Sequence, residues 1–451
     1  MTHITATAPT LRNDADALAG DLVELRHALH AEPEVGLVLP GTQRRVLDAL
    51  ADLPLEISTG TRTTSVTAVL RGTAAARGPV VLLRADMDAL PVQEDSDLDF
   101  ASRVPGAMHA CGHDLHTTML VGAAHLLARH RDRLAGDVVL VFQPGEEGCD
   151  GAGVMLEEGL LGAAGRPVDA AFALHVFSAL VPQGRFVTRP GPILSASDGL
   201  FVTVRGAGGH GSTPHRAKDP VTAVAEMVTG LQTMVTRQFD VFDPVVVTVG
   251  ALHAGTRRNV IPGTATFEAT VRTFSTAARE AMTTAVPRLL QGIAAAHGVE
   301  VDVDYRAEYP VTVTDPDETA FAADTLSDLF GPDRHASLAH PLTGSEDFSR
   351  VLQRVPGSFV GLGAVPTGLD PETAPFNHSP QARFDDAVLA DGARAYAELA
   401  LRRTALPPTC PLYTPDAAVH PPRLAFSPTS SFLVSTPPFL VFSSLLYLST
   451  L

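Results

Sequence analysis

Hydrophobic residues recur at helical spacing near the start of the chain. Leu18, Leu22, Leu25 and Leu29 are three to four residues apart, which places them on one face of a helix that ends before Pro33. The same pattern returns at intervals along the chain. It predicts further helices around residues 46–50, 117–130, 154–161, 220–239, 276–297, 320–330 and 388–401.

Short, continuous apolar runs lie between the first of these helices. They cover residues 79–83, 137–142 and 170–174, and polar side chains follow each run. Unbroken apolar strands that alternate with helices are typical of a largely parallel sheet with helices on both faces. Ligands of such α/β sheets bind beyond the carboxyl ends of the strands. We therefore expect a site among the polar residues that follow the runs, namely Arg84, Asp86, Asp88, Gln143, Glu146, Glu147 and His175.

The pattern changes near residue 195, where alternating strands replace continuous ones. Strands and helices then follow in the order β-α-β-β-α-β, which is typical of a ferredoxin-like sandwich. The earlier α/β pattern resumes at about residue 311. We therefore predict a discontinuous catalytic domain, 15–194 and 311–405, with an inserted ferredoxin-like α+β domain at 195–310.

Residues 406–451 differ in composition from the rest of the chain. Pro, Ser, Thr and Leu dominate, and no charged residue follows Arg423. Such a segment is a disordered tail, an interaction peptide or a membrane-associating segment, and its composition favours the disordered tail. Pro437 and Pro438 interrupt the apolar run, so it is too short to span a bilayer.

Composition narrows the classes of function. The chain has 451 residues, which is enough for two or three domains, and its formal net charge of −17 disfavours nucleic acid and anionic membranes as partners. Its 3 cysteines are too few for a disulfide framework. So few cysteines favour a reducing, cytoplasmic setting. The sequence also shows neither a secretory-signal pattern nor a membrane span.

Residues 109–114, with the sequence HACGHD, have the first candidate metal ligands. Cys111 and His113 lie two apart in a glycine-containing turn, and a thiolate with an imidazole suits zinc, manganese or cobalt. Asp114 would accept a hydrogen bond from a ring nitrogen. The alternative is a buried cysteine beside a capping aspartate, because this spacing is not a specific zinc motif.

Further candidate metal ligands follow two of the apolar runs, and one more lies near the end of the chain. Glu146 and Glu147 would supply one metal ligand and one general base, although alone they also fit a solvated acidic turn. His175 and His378 would each, taken singly, fit a structural role. Because the thiolate, imidazole and carboxylate come from separate strand ends, together they indicate a site for one or two metal ions.

Three residues of the inserted segment are candidates for contact with a substrate. His210 lies in a glycine-rich loop that lacks the features of a phosphate-binding loop, so the glycines either form a simple turn or let His210 approach a ligand. Asn259 precedes Val-Ile-Pro in a turn. Arg272 ends a strand, where it would bind a substrate carboxylate or remain a surface charge.

The ensemble of motifs resembles the M20 metallopeptidase family, and within it the amidohydrolase branch of hippurate hydrolases and plant auxin-conjugate hydrolases. The matching motifs follow the family's order across residues 15–403. They are LRHALHAEPEVG (25–36), RADMDALP (84–91), MHACGHDLH (108–116), QPGEEG (143–148), ALHV (173–176), GGHGSTPH (208–215), NVIP (259–262), GSEDF (344–348) and NHSP (377–380).

The resemblance implies two divalent ions, manganese or zinc, with cobalt and nickel as alternatives. Glu146 would be the general base. The inserted domain would be a lid and dimerisation domain whose His210 reaches the site of a partner subunit in a homodimer or higher homo-oligomer. The implied metal ligands are Cys111, His113, Glu147, His175 and His378.

Other positions match the family less specifically. Asn259 and Arg272 look like substrate-contacting positions, and Asp86 would support the site without binding metal. The sequence leaves open whether Asp88 and Asp114 have the same supporting role.

The resemblance implies an enzyme that hydrolyses the linear amide bond of N-acyl amino acids, such as hippurate, acetyl or indole-acetyl conjugates. The alternatives within the family are a dipeptidase and an N-acetyl-diaminopimelate-type deacetylase. A non-catalytic metal-binding homologue would have little reason to keep Glu146 beside Glu147. A metal-free enzyme with Cys111 as its nucleophile would leave His175 and His378 unexplained.

Overall fold

The computed structural model describes residues 8–74 and 78–407, with side chains from Leu11 onward. Almost all of the predicted tail at 406–451, including Cys410, lies outside the described residues. The helices are α1 (Ala8–His30), α2 (Pro40–Leu50), α3 (His113–Arg129), α4 (Gly151–Glu157), α5 (Pro220–Gln238), α6 (Thr276–His297), α7 (Pro316–Phe330), α8 (Ser349–Leu352) and α9 (Leu389–Thr404). The strands are β1 (Leu55–Thr59), β2 (Val66–Leu70), β3 (Val80–Asp86), β4 (Asp137–Gln143), β5 (Ala170–Phe177), β6 (Phe186–Thr188), β7 (Gly191–Leu194), β8 (Ser197–Arg205), β9 (Gly209–His210), β10 (Val245–Ala254), β11 (Val260–Ile261), β12 (Thr264–Thr273), β13 (Glu300–Tyr309), β14 (Thr312–Thr314), β15 (His335–Ser337) and β16 (Gly357–Gly363).

The larger sheet has eight strands in the order β1-β2-β4-β3-β5-β16-β6-β15. Its four central strands, β4, β3, β5 and β16, are parallel. Strands β1 and β2 are antiparallel to their neighbours at one edge, and β6 is antiparallel to β16. The predicted α/β fold with a mostly parallel central sheet is therefore confirmed.

Residues of the central strands point alternately into two apolar layers. Leu83 and Phe172 pack with α1, α3 and α9 on one face of the sheet. Leu82 and Phe359 pack with α4 and α8 on the other face. Because both faces are covered, all seven residues of β3 are buried, which explains the unbroken apolar runs in the sequence.

The strands extend further than the apolar runs predicted. Asp86 pairs with Gln143 at the ends of β3 and β4, and His175 pairs with Gly361 within β5. Asp88, Glu146 and Glu147 follow the strands as expected, whereas Asp86, Gln143 and His175 belong to them. Their backbone groups continue the hydrogen-bonded ladder while their side chains meet at the carboxyl end of the sheet.

The smaller sheet has four antiparallel strands in the order β10-β12-β8-β13. Helices α5 and α6 pack on it around a separate apolar cluster that includes Met227, Phe267 and Leu290. Its elements follow the β-α-β-β-α-β order expected for residues 195–310, with the short β9 and β11 added. The division into domains and the role of this part as a lid stay predictions.

No helix within residues 8–74 and 78–407 is long and apolar enough to cross a membrane.

We predict that Phe172→Ala lowers the free energy of unfolding by about 3–5 kcal/mol, because the ring is fully buried in the larger core. Urea denaturation followed by circular dichroism measures the change. The control is Phe242→Ala, since that ring is 93% exposed and its removal leaves no cavity. Equal stabilities of the two variants would contradict the packing described above.

Candidate metal centre

The structure brings the five predicted ligands together at the carboxyl end of the larger sheet. The Sγ atom of Cys111 lies 3.4 Å from Nε2 of His175 and 3.3 Å from Nε2 of His378. The same nitrogen of His378 is 3.2 Å from Oε1 of Glu147. His113 completes the group from the first turn of α3.

The ligand atoms form two groups of three that share one thiol. Cys111, His113 and His175 make one group, and Cys111, Glu147 and His378 make the other, with the ligand atoms of each group within 4.8 Å of one another. Thiolate, imidazole and carboxylate ligands suit borderline divalent ions. A shared thiolate between two groups fits two adjacent ions.

Hydrogen bonds orient two of the histidines toward this cluster. Nδ1 of His113 donates to the carbonyl oxygen of Asp88 at 2.8 Å, and Nδ1 of His175 donates to that of Val176 at 2.9 Å. Each ring therefore presents Nε2 as a lone-pair donor. Nε2 of His113 is buried and has no hydrogen-bond partner among the described residues. A metal ion would satisfy this atom, so the residues fit the implied group.

Gly112 lets Cys111 and His113 reach the same side of the turn. Its φ of 85° lies in the left-handed region that side chains disfavour. A Cβ atom at this position would lie 2.4 Å from Cγ2 of Val176. The glycine between the two candidate ligands is therefore required by both backbone geometry and space.

Asp88 holds the segment that contains the two glutamates. We call residues 144–150, between β4 and α4, the base loop. Oδ1 of Asp88 accepts the amide of Glu146 and Oδ2 accepts the amide of Glu147, each at 3.0 Å. The carbonyl oxygen of Asp88 also accepts a hydrogen bond from His113. Asp88, two residues after the end of β3, therefore positions three site residues, and it belongs to neither ligand group.

Asp86 supports the site through other side chains. Oδ1 accepts a hydrogen bond from Nδ1 of His116 at 2.5 Å, and Oδ2 accepts one from Arg84 at 2.6 Å. The other ring nitrogen of His116 accepts the amide of Val176. Asp86 also lies 3.7 Å from His113, and ligand atoms of Asp86, His113 and His116 lie within 4.8 Å of one another. Its role as a supporting residue that does not bind metal therefore stays a prediction.

Asp114 accepts a hydrogen bond from a ring nitrogen, and the ring is that of His30, which is not one of the five proposed ligands. Its Oδ2 accepts hydrogen bonds from Nδ1 of His30 at 2.9 Å and from Arg26 at 3.0 Å. Both partners come from α1. Asp114 therefore ties α1 to the start of α3 and is not bonded to a ligand histidine.

The candidate base lies among other buried acids. Burial raises the pKa of Glu146 well above its ordinary value, and the nearby carboxylates of Glu346 and Glu147 raise it further, while His113 opposes the shift. Burial also raises the pKa of Glu346 to about 8, against the opposing effect of Arg84. The raised pKa values mean that these carboxyl groups tend to hold a proton, and a divalent cation beside them would favour the ionised form.

A cleft of about 550 Å³ opens beside the ligands, and both apolar and polar side chains line it. We call Phe177, Leu180, Phe359 and Phe376 the apolar wall; the rings of Phe177 and Phe359 lie beside that of His175. We call Ser197, Arg272, Glu308, Thr343 and Ser345 the polar wall, and Leu194 and Leu342 also line the cleft. A ligand with one apolar and one charged end would match these walls.

Of the three candidates in the smaller sheet's segment, only Arg272 lines this cleft. It donates to Oγ of Ser345 at 3.1 Å. His210 is exposed on β9, which pairs with β11, and the carbonyl oxygen of Asn259 accepts the amide of Gly211. The structure does not bring His210 or Asn259 to the ligands within one chain, so their proposed roles stay predictions.

Sequence reasoning assigned no role to several residues that shape the site. Asn377 donates from Nδ2 to the carbonyl oxygens of Cys111 and Val176, which joins two ligand segments. Glu346 belongs to the GSEDF motif at residues 344–348, and that motif could have indicated a role for it in the site. Tyr309 contacts the base loop from the end of β13, and a single tyrosine after a strand gave no signal.

Known proteins are similar to this chain over most of its length. The model of peptidase family M20/M25/M40 matches residues 82–402. The chain is 36% identical to thermostable carboxypeptidase 2 of Saccharolobus solfataricus over 87% of this chain and 98% of the relative. It is 34% identical to hippurate hydrolase of Campylobacter jejuni, over 85% and 97%.

A solved structure has a fold similar to that of this chain. It is a Bacillus subtilis protein described as a dinuclear metal-binding peptidase of the M20 family. The match has a TM-score of 0.73 and 32% identity, and covers 86% of this chain and 99% of that one.

We predict that Cys111→Ala removes at least about half of the bound divalent metal, because both ligand groups use its sulfur. Elemental analysis of the purified protein after dialysis against manganese measures the metal content. Cys149→Ala is the matched control, since Cys149 is an exposed free thiol outside the ligand groups. Full metal content in Cys111→Ala would exclude the shared-thiolate site.

Proposed function

The chain belongs to peptidase family M20/M25/M40 and is an amide-cleaving metalloenzyme of that family; we propose that it hydrolyses N-acyl amino acids, with Glu146 as the general base. The observation that carries the proposal is the position of Glu146. Its carboxylate lies within 4.8 Å of ligand atoms of His113 and Glu147, in a buried place at the cleft. The similarity to a hippurate hydrolase supports this substrate class.

Two divalent ions, manganese or zinc, would occupy the site. Such ions act as Lewis acids toward a carbonyl and lower the pKa of water. The residues that would hold them are Cys111, His113, Glu147, His175 and His378. A reducing, cytoplasmic setting would keep Cys111 available as a thiolate ligand.

Glu146 would take the proton of the attacking water and later deliver it to the leaving amine nitrogen. Burial raises the pKa of Glu146. Its carboxylate is therefore a stronger proton acceptor than that of an exposed glutamate. Asp88 fixes the amide of Glu146 and thereby limits the movement of the base. The proton transfer thus needs little rearrangement of the protein.

Arg272 would bind the carboxylate of the amino-acid portion. Among the described residues that line the cleft, it is the one with a permanent positive charge. Its bond to Ser345 holds the guanidinium at the polar wall. A guanidinium suits a carboxylate because it offers two parallel donors.

The apolar wall would bind the acyl group. The rings of Phe177 and Phe376 are nearly parallel, with an interplanar angle of 8° and centroids 6.4 Å apart. Leu180, at the same wall, is 60% exposed. Uncovered apolar surface in a cleft favours a bulky acyl group, such as benzoyl, over acetyl.

The assembly would be a homodimer or higher homo-oligomer. His210 is exposed and does not line the cleft of its own chain. The resemblance places the corresponding histidine in the site of a partner subunit, where it would steady the negative oxygen of the intermediate. In this proposal each site is complete only in the assembled enzyme.

We predict that Glu146→Gln lowers kcat on benzoylglycine by roughly 10²–10⁴-fold, because the amide cannot accept the proton. Stopped assays of released glycine measure the rate, and elemental analysis is expected to show unchanged metal. Glu157→Gln on α4 is the control, since that side chain is exposed. A native rate in Glu146→Gln would exclude it as the base.

We predict that Phe376→Ala raises KM for benzoylglycine about tenfold and changes KM for acetylglycine less than twofold, because only the larger acyl group reaches the ring. A substrate panel that includes dipeptides measures both values. Leu369→Ala is the control, since Leu369 is exposed outside the cleft. Equal effects on both substrates, or a preference for dipeptides, would contradict the proposed acyl wall.

A further inference from the structure

One hydroxyl group spans the base loop. The side chain of Tyr309 donates to the carbonyl oxygen of Glu146 at 2.8 Å. The same oxygen atom of Tyr309 accepts the amide of Asp150 at 3.0 Å. The ring is buried and lines the cleft. A single side chain therefore connects the candidate base to the far end of its loop.

An irregularity in the smaller sheet directs Tyr309 toward the base loop. Along β13, Ala307 pairs with Asp198 and Tyr309 pairs with Ser197, so Glu308 is an extra residue in the ladder. A β-bulge of this kind turns the following side chain in a new direction. The bulge thus lets the last residue of β13 reach beyond its own sheet.

Further contacts hold this bulge in place. The amide of Glu308 donates to Oδ1 of Asp198 at 3.2 Å, and its carbonyl oxygen accepts Arg350 at 2.8 Å. Arg350 also pairs with the carboxylate of Asp150 at 2.9 Å. Tyr309, Asp150, Arg350 and Glu308 therefore form a closed chain of contacts, which fixes the hydroxyl relative to the loop.

The two peptide groups that flank the Cα atom of Glu146 are both held. Asp88 accepts the amide before the Cα atom, and Tyr309 donates to the carbonyl after it. Because the backbone on both sides of a Cα atom sets the direction of its side chain, these contacts orient the carboxylate. One contact comes from the segment that follows β3, and the other comes from the last residue of β13 in the smaller sheet.

We propose that Tyr309 is a positioning residue that holds Glu146 in the geometry its role as a base requires. Tyr309 acts through the backbone of Glu146. The inference rests on the proposed function for its effect on rate, whereas its effect on the base loop can be measured without substrate.

The test compares two substitutions on the same strand. Tyr309→Phe removes the hydroxyl and keeps the ring. It is expected to lower kcat on benzoylglycine by about 10–100-fold, with KM and bound metal within twofold, because a small displacement of a catalytic group is costly. The control is Tyr305→Phe, since the hydroxyl of Tyr305 bonds to Asp198, which Arg279 also holds. That variant is expected to keep kcat within twofold.

Two further readouts separate positioning from general stability. Hydrogen–deuterium exchange of the base-loop peptide is expected to be faster in Tyr309→Phe than in the wild type, because the amide of Asp150 loses its acceptor. In Tyr305→Phe the exchange is expected to stay unchanged. In a Glu146→Gln background, Tyr309→Phe is expected to change the residual rate less than twofold, because the residue acts through Glu146.

An unchanged kcat, unchanged exchange of the loop, or an additive loss in the double variant would overturn the proposal. If the wild-type enzyme cleaved no N-acyl amino acid, the proposed function would fail. The exchange result alone would then decide whether Tyr309 holds the loop.

Discussion

The site depends on a cluster of buried acidic side chains near the ends of the central strands. Asp86, Asp88, Glu146, Glu346 and Asp347 are at most 7% exposed. Burying a carboxylate without compensation is costly, so each needs donors or cations close by. The acids are what make this end of the sheet suitable for divalent ions, and the surrounding fold has to hold them together.

The buried side chain of Arg84 offsets part of the cost of burying these acids. Arg84 donates to Asp86 at 2.6 Å, to Glu346 at 2.8 Å and to Asp347 at 2.9 Å. Its own carbonyl oxygen accepts the hydroxyl of Tyr396 from α9. The charge network is therefore anchored to the helical layer below it, and ligand placement is coupled to the packing of the larger sheet.

The sequence predicted the part of the site that depends on strand ends. Glu147 and His175 were predicted because parallel strands bring their carboxyl ends to one edge, whatever the details of the loops. Cys111 was predicted from its spacing to His113, and it lies in the turn before α3 rather than at a strand end. The sequence left the histidine partner of Asp114 open; the partner is His30, because helix α1 packs against α3, and no spacing rule reports such a contact. Tyr309 was missed for a similar reason, since a bulge, which the alternation of residues does not reveal, sets its direction.

The central claim is that hydrolysis needs the metal ions at these strand ends. It is tested most directly by removing metal from the purified enzyme with a chelator and returning manganese in measured amounts while benzoylglycine hydrolysis is followed. Activity is expected to be lost and then to return in proportion to bound metal, with its maximum near two ions per chain. Hydrolysis that persists at the native rate in metal-free protein would contradict the central claim.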